Sequence, residues 1–162
     1  MERYLRTSLV ALGLLLLQTT FVPFLSFSGY GPDLLLIWVV YIAIRRGQVE
    51  AAVAGFLIGV LQDVTTTQFF GLAALAKTVA GFAAGYFFNE NKTGLTLGTY
   101  RFALIVFLAS LIHNILYYMI FFQGTEVSLV AATLQYSVLT GVYTSVLSFL
   151  PVFVFARKHS LT

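Results

Sequence analysis

Apolar positions run along this chain in long stretches, and polar ones gather in the short breaks between them. Six stretches emerge, about 7–24, 30–46, 49–64, 69–88, 100–122 and 134–156. Most approach the roughly 20 residues a helix needs to cross a bilayer. They predict an all-α integral membrane protein: six transmembrane helices in a single compact bundle, one membrane domain over residues 1–162.

The stretch 31–85 organises the rest. Two of its segments carry ladders at four-residue spacing, Ala51, Gly55, Gly59, Asp63 and Ala73, Lys77, Gly81, Gly85. Residues four apart share one helix face. In lipid, faces of small residues let backbones approach closely. The small-residue faces Gly55/Gly59 and Gly81/Gly85 are therefore expected to pack together.

The first segment follows Arg3 and Arg6, as a signal peptide would. The run is too long, and TTFVPFLSFSGYGP holds no A-x-A site, so an uncleaved helix ending near Pro23 is expected. The second segment opens at Pro32-Asp33 and closes at Arg45-Arg46-Gly47. Asp33 suits a helix N-terminus, where its carboxylate accepts first-turn amides. From Asp33 to Ile44 the segment is short for a span; starting it at Tyr30 brings it near the lower limit. A re-entrant hairpin over 33–63 would bury Arg45 and Arg46 in hydrocarbon and is rejected. The polar breaks TTTQ, NENKTGLTLGTYR and QGTEVS read as connections. Residues 127–133 either begin the sixth helix or lie along the interface.

Charge sets the orientation. If six helices alternate, Arg3, Arg6, Arg45, Arg46, Lys92, Arg101, Arg157 and Lys158 all fall on one side. Basic flanks stay cytoplasmic, which puts both termini in the cytoplasm. Tyr117, Tyr118, Phe121 and Phe122, and Tyr86 to Phe88, are placed as interfacial aromatics. Composition agrees: 59% of residues are apolar and 9% charged, against about 25% charged in soluble domains. The formal charge of +3 reads as topology rather than affinity for nucleic acid. With no cysteine there is no disulfide, thiolate metal site or thiol nucleophile.

Ionisable groups at membrane depth are rare and costly. Folding the third and fourth segments about their turn sets Lys77 opposite Gly59, one turn from Asp63, and predicts an Asp63–Lys77 pair. Asp33 is a second possible partner for Lys77. Such a pair is either a ligand or proton site or an ion pair that locks two helices; without a further carboxylate nearby it is a poor relay, which favours the lock. His113 and Asn114 lie mid-span about 100° apart on their helix. They and Gln18 are expected to form intramembrane hydrogen bonds. No G-x-S-x-G, HExxH or phosphate-loop motif occurs, and no cofactor is implied.

The order and spacing of Pro32-Asp33-Leu34-Leu35, Arg45-Arg46-Gly47, Gly55-Phe56-Leu57-Ile58-Gly59, Asp63, Phe70-Gly71-Leu72, Ala74-Leu75, Lys77, Gly81 and Gly85 resemble the rod shape-determining protein MreD family of bacteria. The resemblance implies a non-catalytic subunit of the cell-elongation machinery in the cytoplasmic membrane. It implies MreC as a direct partner, and indirect links to MreB, RodA and a class B penicillin-binding protein. It also implies a fold like the substrate-binding subunits of energy-coupling-factor transporters. A second reading, a small-molecule-binding transporter subunit, would line a cavity with Lys77, Asp63, His113, Asn114 and Gln18.

Overall fold

A computed structural model describes residues 2–26, 30–66, 69–124 and 128–153. The far end of the expected sixth segment (154–156), Arg157, Lys158, the last two residues of the TTTQ connection (67–68) and residues 125–127 of QGTEVS lie outside them. Most of the described residues are helical, in helices α1 (Glu2–Thr20), α2 (Val22–Leu25), α3 (Leu34–Arg46), α4 (Gln48–Thr66), α5 (Leu72–Ala84), α6 (Thr93–Leu97), α7 (Tyr100–Phe121) and α8 (Leu129–Leu147). The helical run that begins as α8 extends to Phe153. Pro23 enters the first turn of α2, where its missing N–H leaves no bond unmade. Residues from Leu129 onward begin the last helix rather than lying apart from it.

Among the described residues, three helices are long and apolar enough to cross a membrane: Gln48–Thr66, Tyr100–Phe121 and Leu129–Phe153. Helix α3 has 13 residues, about 20 Å at 1.5 Å per residue, well short of the roughly 30 Å of hydrocarbon. Up to Ile44 it is also apolar on every side, and Leu35, Leu36, Val39, Val40, Ala43 and Ile44 are all buried. A helix apolar all round belongs inside. Helices α1, α4, α5 and α7 surround it. One face packs on Ala51, Ala80, Phe102 and Val106, the other on Ala11, Leu15 and Ile58.

Helices α3 and α4 are joined by Gly47 alone, at φ +87°, a turn that a side chain would strain. Helices α4 and α5 are then packed backbone to backbone. A methyl at Gly55 would fall on the Lys77 carbonyl, one at Gly59 on the Ala74 backbone, and one at Gly85 on Gln48. At Gly81 a methyl would sit 2.7 Å from the Ala51 carbonyl oxygen. The contacts step in opposite directions along the two helices, so the pair is antiparallel and both small-residue ladders lie at its seam.

Polarity is inverted relative to a water-soluble protein. Leu16, Leu57, Leu104, Val130 and Leu150 face outward, whereas Lys77, Ser110, Ser137, Thr144 and Ser148 are wholly buried. On α8 the inward face carries Thr133, Ser137, Thr140 and Thr144, and the outward face carries Leu134, Val138 and Val142. In lipid this arrangement turns apolar surface outward and hydroxyls inward. Thr144 Oγ1 is hydrogen-bonded there, whereas the hydroxyls of Thr133 and Ser137 are buried without a partner among the described residues.

Candidate functional site

Because α3 is short and central, its N-terminus opens inside the bundle, and its unpaired amides must find partners there. Asp33 is the N-cap: its Oδ1 accepts from the Leu36 amide at 2.9 Å. The Asp33 amide donates to Thr144 Oγ1 at 3.1 Å, and that hydroxyl donates to the Thr140 carbonyl at 2.8 Å. Gln18 of α1 closes the set. Its Oε1 accepts from the Leu34 amide at 2.8 Å, and its Nε2 donates to the Pro32 carbonyl at 3.0 Å. Two helices distant in sequence, α1 and α8, thus seat the start of α3 beside its own cap.

The second oxygen of Asp33 is ion-paired with Lys77, whose side chain is 0% exposed. His113 Nε2 lies 3.3 Å from Lys77 Nζ and 3.9 Å from Asp33 Oδ2. An ammonium only donates, so Nε2 is the acceptor and the ring proton sits on Nδ1. Nδ1 is 3.1 Å from Asn114 Oδ1, and Asn114 Nδ2 donates to Ser110 Oγ at 3.2 Å and to the Ser137 carbonyl at 3.4 Å. The chain of bonds joins α3, α5, α7 and α8 with one positive and one negative charge. A buried pair of this kind is tolerable only when both members keep such partners.

The expected Asp63–Lys77 pair is corrected. The seam places the Lys77 backbone opposite Gly55, a further turn from Asp63 than expected, and the Lys77 side chain points to the N-terminus of α3. Asp63 instead receives the start of α5. It accepts from the amides of Gly71 at 3.0 Å, Ala73 at 3.1 Å and Ala74 at 3.1 Å. It acts as a cap supplied by the preceding helix, at the end where a carboxylate suits the helix dipole. Asp33, the second possible partner, takes the lysine.

Gln18, His113 and Asn114 hydrogen-bond around one helix end, and Lys77 joins them there rather than at Asp63. His113 and Asn114 differ by about 100° in direction, yet their side chains bend to each other. The residues missed are Ser110, Thr140 and Thr144. The signal for Thr140 and Thr144 was the spacing of Thr133, Ser137, Thr140 and Thr144 on one face of α8, and for Ser110 its place four residues before Asn114. No group of three His, Cys, Asp or Glu among the described residues is placed to hold a metal. Chemically the arrangement commits its groups to each other: Lys77 donates to a carboxylate and an imidazole, and the Ser110 hydroxyl accepts from Asn114.

An apolar exterior, three helices of spanning length among the described residues and a buried ion pair at the centre define a helical membrane protein. The family model of the rod shape-determining protein MreD matches residues 3–159, and the chain belongs to that family. Membership implies a role in determining rod shape. No curated protein sequence matches the chain.

Proposed function

We propose that this protein is a non-catalytic scaffold of the bacterial cell-elongation machinery, crossing the cytoplasmic membrane six times with both termini inside. It binds MreC and helps place peptidoglycan synthesis, with MreB, RodA and a class B penicillin-binding protein as indirect partners. The family match over residues 3–159 carries the reading. The outward faces support it, since Leu57, Leu104 and Val130 offer apolar helix surface to a partner's helix. Association there rests on close packing and a few interhelical hydrogen bonds, about 0.6 kcal/mol each.

Co-purification from native membranes with mass spectrometry tests the proposal. Enrichment of MreC with wall-synthesis proteins is the expected result. Recovery of a transporter ATPase in their place would overturn it in favour of a small-molecule-binding subunit.

A further inference from the structure

Helices α1 and α3 are antiparallel, because Gln18 meets the start of α3 while Thr7 meets its end. At that second end they part to leave a cleft of about 710 Å³. Its walls are single helix faces: Glu2, Arg6 and Val10 on α1, and Trp38, Ile42 and Arg45 on α3, each set at three- or four-residue spacing. Arg46 links the walls by donating to Thr7 Oγ1 at 3.0 Å and is held by Glu50 at 3.4 Å. Arg45 lies over the Tyr41 ring at 5.4 Å, and Tyr41 stacks on Trp38 at 4.9 Å. The cleft therefore changes character along its length. Arg6, Arg45 and Arg46 line its end nearer the close of α3, with Glu2 among them and Glu50 already paired to Arg46, and Val10, Ile42 and Trp38 line it one to two turns further along the helices.

Basic residues beside a membrane span often reflect topology alone. Here arginines from two helices far apart in sequence converge on one cavity, and the wall beyond them is apolar. A free anion would use only the arginine end, and a neutral lipid only the wall. Arginine's planar fork suits phosphate oxygens, and basic pockets between membrane helices suit anionic headgroups. We infer that the cleft between α1 and α3 binds an anionic phospholipid, its phosphate among Arg6, Arg45 and Arg46 and its upper acyl chain against Val10, Ile42 and Trp38.

The protein carries one tryptophan, Trp38, and it lines the cleft, so its fluorescence reports this site alone. The full-length protein in mixed micelles is titrated with phosphatidylglycerol or phosphatidylcholine brominated on the upper acyl chain. Phosphatidylglycerol should quench at a lower mole fraction, by about fivefold for each arginine engaged and so by roughly a hundredfold if all three engage. The double variant Arg6→Gln/Arg45→Gln should lose that preference, whereas Arg101→Gln, outside the cleft, should keep it. Equal quenching of the wild-type protein by the two lipids overturns the inference without recourse to any variant. Reversal of the quenching by millimolar inorganic phosphate overturns it in favour of a free-anion site. Persistence of the preference in the double variant would show that these arginines do not recognise the headgroup.

Discussion

Asp33, Asp63 and Lys77, the buried charges among the described residues, are each answered by groups from another helix, and the cost of removing one depends on what it leaves behind. Asp33→Asn strands the Lys77 ammonium, and Lys77→Met strands a carboxylate; breaking a buried pair in this way costs about 3–5 kcal/mol. The double variant should recover most of that, since asparagine keeps a cap oxygen for the Leu36 amide. Asp63→Ala removes an acceptor of three amides, a capping loss of about 1–2 kcal/mol. It should add to Lys77→Met within about 0.5 kcal/mol, because the two share no contact. Detergent melting curves for these variants form two double-mutant cycles. Strong coupling between positions 63 and 77, with none between 33 and 77, would reverse the assignment. Asp33 was legible as a cap because Pro32-Asp33 precedes an apolar run. The partner of Asp63 was not, because a carboxylate satisfied by backbone amides leaves no side chain to find.

At the scale of elements, the α4–α5 seam was readable from its glycines, and its register was not. Four-residue spacing fixes which face is small but not how far one helix slides along the other. A slip of one turn moved Lys77 from Asp63 toward Asp33. The seam is also where substitution should be least tolerated. Gly55→Leu and Gly81→Leu drive side chains into the Lys77 and Ala51 carbonyls, while Leu57→Phe enlarges an outward residue. The two glycine variants should lower folded yield in detergent sharply, and Leu57→Phe should leave it near wild type. Equal yields from all three would remove the packing argument. The depth of the α3 start was hidden for a related reason. A 13-residue helix looks too short for a span until Gln18, Thr144 and Asp33 are seen to seat its end inside the bundle.

For the whole molecule, the alternation of apolar segments and basic flanks supports six spans with cytoplasmic termini as a proposal that labelling can check. Single cysteines at Arg3, Lys92 and His159 should resist an impermeant maleimide in intact cells, and cysteines at Thr66 and Thr125 should react. Reaction at position 92 with none at 66 would refute the arrangement.

The central claim is that the polar centre serves the fold while the protein acts on rod shape through its outer surface. The most direct measurement is complementation of rod shape by Asp33→Asn/Lys77→Met in cells lacking the native copy, beside its melting curve. The account predicts rods and a melting temperature close to wild type. A variant that melts like wild type yet leaves the cells round would contradict it, and would make Asp33 and Lys77 a working site rather than a support.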